Sequence, residues 1–261
     1  MFYLFVHYYH RLVAAHANYS SIHCKRVVTL PRAIKTPRDD DDDDMTRPKL
    51  TYLDMQGIAE PIRACFRIGG VEFDDVRVSY EDVRRSRETL PFGQVPTLEL
   101  DGRVYSQSGA ILRCVGRMTG LYPSDEETDA RLRVDMILDV VRDVNQILAP
   151  VWYHNVFPRT EGELREETHL EEEEIGRMVH LVNTVMLPPR VKQIEKFVAS
   201  SSVEGPFVCG AKLTVADLSL HRLLTGLGPN GDYCDGVCVL ELPPRLALLV
   251  EAVERMDGVI S

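Results

Sequence analysis

Regular patterning in the chain begins at Lys49. "KLTYLDM" (49–55) is a short run with β-forming residues, which predicts a strand. In "AEPIRACFRIGG" (59–70), Ile62, Cys65, Phe66 and Ile68 recur at helical spacing. Pro61 stands in the first turn and Gly69-Gly70 ends the segment, so a helix is predicted. "VEFDDVRV" (71–78) carries Val71, Phe73, Val76 and Val78 and predicts a second strand. "YEDVRRSRETLP" reads as a short, weakly amphipathic helix. "PTLEL", the Asp101-Gly102 turn and "RVYS" read as a hairpin, and "SGAILRCVGRMTG" as a helix closed by glycine. The order is β-α-β-α-β-β-α. Helices between strands predict parallel pairing, with the hairpin adding an antiparallel edge.

Beyond "GLYPSDEE" the strand signals largely stop. "DARLRVDMILDVVRDVNQILAPVWY" presents Leu132, Met136, Val140, Val144, Ile147, Leu148 and Val151 at helical spacing. A second helical stretch runs from about Glu163 to Val198, with a break expected at Pro188-Pro189. "TVADLSLHRLLTGL" and "PPRLALLVEAVERMDG" predict two more helices, which makes the second half all-helical.

The first 48 residues differ from the rest. Met1 to Arg38 has six basic residues and no acidic one, and six aspartates, Asp39 to Asp44, precede Met45. Like charges in a row repel, so residues 1–48 are expected to be a disordered or mis-started extension, with organelle targeting as the alternative. The whole chain has 261 residues and a net charge of −10, which argues against general nucleic-acid binding. Six scattered cysteines (24, 65, 114, 209, 234, 238) contain no CxxC pair and predict reduced thiols in a cytoplasmic setting. The eight histidines show no paired spacing, so no metal is expected. No stretch reaches the roughly 18 apolar residues of a membrane span.

"LPFGQVPTLELDGRVYSQSGAILR" (90–113) poses a question of its own. Proline has no N–H for a strand ladder, so Pro96 must open a strand or sit in special geometry. Gln107-Ser108 stands where the hairpin ends and a helix starts, a point where free N–H groups favour an anion. Ser108 also suits an ordinary N-cap, and the two roles are compatible.

"KLTYLDMQGIAEPIR", "TLPFGQVPTLELDG" and "QSGAILR" together resemble the cytosolic glutathione S-transferases, and most of all their sigma-like branch, which includes prostaglandin-D-synthase-type enzymes. The likeness is strong across Lys49–Gly120 and patchier through the helices to Ser261. It implies a thioredoxin-like N-terminal domain (βαβαββα, residues 49–122) followed by an all-helical C-terminal domain (123–261). It further implies glutathione as co-substrate, a homodimer, and conjugation of the glutathione thiolate to small hydrophobic electrophiles in detoxification.

Matched residue by residue, the resemblance makes Tyr52 the catalytic group. A free thiol ionises near 8.5, and a phenol O–H aimed at the sulfur favours the thiolate. Pro96 would be cis and would present the Val95 backbone to the peptide in β-fashion. Gln107 and Ser108 would hold the γ-glutamyl carboxylate, Gln94 the peptide backbone, and Arg87 the glycyl carboxylate. Asp143, counted in "D-M-x-x-x-x-x-x-D" from Asp135, would reach a glutamyl amino group across a dimer interface. Met55, Ile58, Leu148 and Trp152 would line the electrophile pocket. Thr214 and Asp217 match a structural N-capping motif.

Two departures bear on activity. Ile58 stands where the family often has arginine, which removes a positive charge near the sulfur, and Val83 replaces a common tryptophan. A non-catalytic, ligand-binding or structural member of the family is therefore the rival reading. A thioredoxin-type redox protein would need cysteine where the chain has Gln56-Gly57-Ile58-Ala59. The acidic stretch "EGELREETHLEEEE" (161–174) is expected to be a solvated helix start.

Overall fold

The structure is a computed structural model that describes residues 47–156, 172–228, 231, 236–237 and 241–259, with 153–156 as backbone only. The expectations for residues 1–44 and for 161–171 fall outside the described residues.

Strands β1 (Lys49–Leu53), β2 (Asp74–Val78), β3 (Thr97–Leu100) and β4 (Arg103–Ser106) form one sheet in the order β2-β1-β3-β4. Helices α1 (Glu60–Ile68), α2 (Tyr80–Ser86) and α3 (Ser108–Met118) complete the βαβαββα order read from the pattern. Parallel pairing holds only for β1 with β2; β3 runs antiparallel to β1, and β4 antiparallel to β3. The physical reason lies in α2. It buries no residue, so it does not lie along the sheet as a crossover helix would. The chain instead re-enters the sheet at the end where β2 left it.

Leu50 and Leu98 face α1 and α3, where Ile62, Cys65, Phe66, Ile111, Leu112 and Val115 close the core of this half. Phe66 stacks on Phe73 at 4.5 Å between ring centroids, so the second apolar run contributes to the core just before β2 begins.

The helical half comprises α4 (Thr128–Val156), α5 (Glu172–Leu181), α6 (Leu187–Ala199), α7 (Val215–Gly226) and α8 (Pro244–Glu254). The inward face of α4 is Val134, Ile137, Leu138, Val141, Val144, Leu148 and Val151. Leu132 and Met136, expected on that face, are 58% and 51% exposed. The first turns of α4 carry two apolar stripes, and periodicity does not say which one meets a neighbour.

The expected break at Pro188-Pro189 does not occur. A widened π turn, Val182–Met186, separates α5 from α6, and the prolines fall in the first turn of α6. The helix runs on from α5 through this turn, where the Leu187 N–H still reaches the Val182 carbonyl, and the wide turn accommodates the proline rings. The acidic run ends in Glu172, Glu173 and Glu174, which form the exposed first turn of α5.

Asp217 caps α7 as expected. Its carboxylate accepts from the Thr214 N–H and hydroxyl, both at 2.8 Å, and from the Val208 N–H at 2.7 Å, with no exposure to solvent. Burial pushes this carboxyl up to about 6, against the downward pull of those hydrogen bonds. Two further ties join the halves. Arg113 on α3 donates to Asp135 on α4 at 2.7 Å, and the Tyr122 hydroxyl donates to both oxygens of the same carboxylate at 3.0 Å. Arg67 on α1 donates to the Gly258 carbonyl at 2.6 Å, which clasps the segment after α8.

Candidate functional site

The sheet register gathers the motif residues before any side chain is considered. Leu53 pairs with Val78, Thr51 with Thr97, and Thr97 with Ser106. The exit of β1, the exit of β2, the entry of β3 and the exit of β4 therefore share one end of the sheet. Tyr52, the segment from Arg87 to Pro96, and Gln107-Ser108 all lie at that end.

Tyr52 is 4% exposed. The chain leaves β1 through Met55 and Gln56 and reaches Gly57, whose φ of +48° lies in the left-handed region. A Cβ added to Gly57 would sit 2.6 Å from the Tyr52 hydroxyl oxygen, so only glycine lets the backbone pass this close to the phenol. Arg63 on α1 is wholly buried behind the same loop. Its Nη1 donates to the Met55 carbonyl at 2.9 Å and the Gln56 carbonyl at 3.2 Å, and its Nε donates to Asp75 at 3.0 Å. Its Cζ lies 5.7 Å from the Tyr52 ring centroid.

On the next connection, Gly93 has φ +64°, and a Cβ there would meet the Arg87 side chain at 2.9 Å. Arg87 thus packs on the turn that leads into Gln94, which is exposed. The Val95–Pro96 bond is cis. Val95 is half-buried and lies beyond the last pair of the β1–β3 ladder.

Gln107 adopts φ +75°, ψ +106°, a region that non-glycine residues seldom enter. Its side chain makes no capping bond, while its carbonyl accepts from the Ala110 and Ile111 N–H groups at 3.0 Å. Gln107 is therefore the N-cap, and Ser108, considered above as an N-cap, is the first residue of the helix. The earliest N–H groups of α3 have no acceptor within the helix and are oriented out of its start. A strained backbone held at a helix start is an observation from which function is sensibly inferred.

The helical half contributes less definite geometry. Asp143 is exposed on α4, with no ion-pair partner among the described residues. Met55, Ile58 and Trp152 are half-buried and retain surface for a ligand. Leu148 does not, because it is fully enclosed in the helical core. The resemblance placed it in the pocket, but its position on α4 turns it into the core.

Two of the protein's own thiols, Cys65 and Cys209, are unsuited to be nucleophiles. Burial raises Cys65 to about 11, against a hydrogen bond with Thr119 at 3.2 Å, and burial together with the Asp217 carboxylate raises Cys209 to about 11. Two residues of the site were missed from sequence, Gly57 and Arg63. Glu60, Arg63 and Arg67 recur at i, i+3 and i+7, a charged stripe along the otherwise buried face of α1, and that spacing was the available signal for Arg63.

A thioredoxin-like sheet joined to a helical domain thus brings a buried tyrosine, a cis-proline corner and an open helix start to one sheet end. Comparison with known proteins gives the family. Residues 166–259 match the profile described as glutathione S-transferase, C-terminal domain. The chain is 36% identical over 177 residues to glutathione S-transferase 1 of Ascaris suum, covering 67% of this chain and 77% of that one. Among solved structures, the glutathione S-transferase of Ascaris lumbricoides superposes with a TM-score of 0.62 at 29% identity, covering 82% of this chain and 94% of that one. A Necator americanus glutathione S-transferase described as monomeric superposes with a TM-score of 0.61 at 27% identity, over 82% of this chain and 94% of that one. The chain belongs to the glutathione S-transferase family, and it is a transferase.

Proposed function

We propose that the protein joins the thiolate of glutathione to small hydrophobic electrophiles, and that it belongs to the sigma-like branch of its family. The observation that carries this reading is the convergence at one sheet end of Tyr52, the Val95–Pro96 corner and the Gln107-Ser108 helix start. Tyr52 is the catalytic residue. Its hydroxyl donates to the glutathione sulfur, which favours the thiolate over the thiol. The Val95 backbone, kept out of the ladder by Pro96, pairs with the tripeptide as a short added strand. Gln107 and Ser108 hold the γ-glutamyl carboxylate, and the free N–H groups of α3 support that role. Gln94 contacts the peptide backbone and Arg87 the glycyl carboxylate. Met55, Ile58 and Trp152 receive the electrophile. Most of the acceleration comes from positioning and thiolate stabilisation.

The protein acts as a homodimer in which Asp143 completes the partner's glutathione site. Support comes from exposed apolar side chains, Leu132 and Met136 on α4 and Val104 and Tyr105 on the edge strand β4, which need cover. The free thiols of Cys65, Cys114 and Cys209 support a reducing, cytoplasmic setting. Among the described residues no helix is long and apolar enough to cross a membrane.

The test is conjugation of glutathione to a generic aryl halide by wild type and Tyr52→Phe. A hydrogen bond to a charged group contributes roughly 1.5–3 kcal/mol, so the variant should be about ten- to hundredfold slower with glutathione affinity little changed. Full activity of Tyr52→Phe would remove the tyrosine from the mechanism. A wild type with no turnover favours the non-catalytic reading.

A further inference from the structure

We infer that Arg63 is a positioning residue, holding the Tyr52 ring and the Met55–Gly57 loop in their working arrangement. The inference rests on the reading of Tyr52 above. A guanidinium with no solvent exposure is costly unless its donors are used. Arg63 uses them on two carbonyls, Met55 and Gln56, in the loop that joins Tyr52 to Gly57. Its Nε is anchored to Asp75 on β2 at 3.0 Å, so the hold is rigid at both ends. Its Nη2 has no hydrogen-bond partner among the described residues. The Tyr52 ring at 5.7 Å lies within the distance at which an aromatic face attracts a cation.

One side chain therefore orients the ring that bears the hydroxyl and fixes the loop that packs on that hydroxyl. Ile58 leaves the solvent side of the site without the arginine often found in the family, and Arg63 places a cation beneath the phenol instead. The surrounding charges balance. Asp75 on β2 and Glu60 on α1, at 3.3 Å, face Arg63 directly. Arg67 pairs with Glu60 at 2.5 Å, while Arg77 pairs with Asp75 at 2.8 Å and with Asp54 at 3.7 Å. Three cations meet three carboxylates, so Arg63 acts by proximity and orientation rather than by net charge. Lysine would keep the charge but lose the planar fork that reaches both carbonyls and Asp75.

The experiment compares wild type, Arg63→Lys, Arg63→Gln and Tyr52→Phe as full-length chains. Its readouts are melting temperature, the pH profile of kcat/KM, and the ultraviolet titration of tyrosine, in which the Tyr52→Phe difference isolates the Tyr52 step. Arg63→Lys should lower kcat about tenfold or more, as a displaced catalytic group does, with little change in KM. The pH profile and the Tyr52 step should both move to higher pH, further in Arg63→Gln than in Arg63→Lys. If the variants only lose melting temperature while profile and titration stay put, Arg63 is structural and the inference is overturned. A fully active Tyr52→Phe overturns both readings, whereas a slow Tyr52→Phe beside unaltered Arg63 variants overturns this one alone. Should neither Arg63 variant fold, a variant of its anchor decides. There Asp75→Asn, which loosens the anchor of the Arg63 Nε, is read in the same way: a pH profile moved upward with kcat reduced upholds the inference, and an unmoved profile beside a lower melting temperature overturns it.

Discussion

At the sheet end around Tyr52, backbone geometry does the positioning. Gly57 at φ +48°, Gln107 at φ +75° and the cis bond before Pro96 shape the proposed site, and each is a constraint on the main chain. The helical half works by different means. Among the described residues its helices depart from regularity at one π turn and at Pro150 inside α4, and its residues are placed by which face of a helix meets a neighbour. There Asp217, bound to Thr214 and Val208, holds a helix start apart from the proposed site. On the proposed reading the sheet end supplies the geometry of the site, and the helical half contributes chiefly to stability. Substitutions should separate the two.

The largest effect is expected in the helical half. Asp217→Ala leaves the buried N–H groups of Val208 and Thr214 without their acceptor. The loss should be about 2–4 kcal/mol of stability. For a protein of this size that lowers the melting temperature by about 5–15 °C. The kcat of the protein that remains folded should be unchanged, because the cap touches no substrate. The same residue gives a pH signature. Its native carboxyl is raised to about 6, while the unfolded chain ionises near 3.9. Between roughly pH 4 and 6 the native state holds a proton that the unfolded state has released, so stability falls as pH rises through that window. Asp217→Asn should remove this descending contribution in denaturant melts across the range. An unchanged slope would mean that the hydrogen bonds offset burial completely.

Gly57→Ala is the converse test at the sheet end. The added Cβ meets the Tyr52 hydroxyl at 2.6 Å and the ring edge at 2.8 Å, so the phenol must swing away from its place. A displacement of about 1 Å at a catalytic group costs on the order of a hundredfold in rate. The penalty for alanine in the left-handed region is only about 1–2 kcal/mol of stability. Activity should collapse while the melting temperature moves little, the reverse of Asp217→Ala. A variant that loses both together would show that the two halves are not separable.

The same division explains what was legible in the sequence. The special geometry at Pro96 was legible because proline restricts its own backbone and so leaves a signal in the sequence, whereas the roles read for Tyr52 and Gln107-Ser108 came from an ordered motif that resembles a family. The capping pair Thr214 and Asp217 was legible for the same reason. Helix faces were less so. Leu132 and Met136 fit helical spacing as well as the true inner stripe does, and packing partners far along the chain decide between them. Leu148 was read as pocket and is core. Pro188-Pro189 was read as a break because the π turn that accommodates it has no residue signature. Arg63 escaped notice because a charged residue in a short helix is ordinarily on the surface, and its burial depends on Asp75 and on two main-chain carbonyls.

The smallest effect belongs to the residue on which the two halves are proposed to meet across a subunit boundary. Asp143 stands exposed on α4, and its proposed contact is an ion pair with the glutamyl amino group of glutathione bound to the partner. Exposed ion pairs contribute about 0.2–1 kcal/mol, so Asp143→Ala should weaken glutathione binding by no more than about fivefold. Titration calorimetry measures this, and kcat should stay near wild type because the sulfur is activated elsewhere. The effect depends on pairing. Met136→Glu places a charge on the exposed apolar stripe of α4, and if that stripe is covered by a second copy the variant should dissociate at micromolar concentration. Dissociation should then reproduce the Asp143→Ala loss of affinity without touching Asp143. Combining the two substitutions should give no further loss, since each removes the same contact. A wild type that sediments as a monomer, with glutathione affinity indifferent to both substitutions, would confine the whole site to one chain and return Asp143 to the solvated face of its helix.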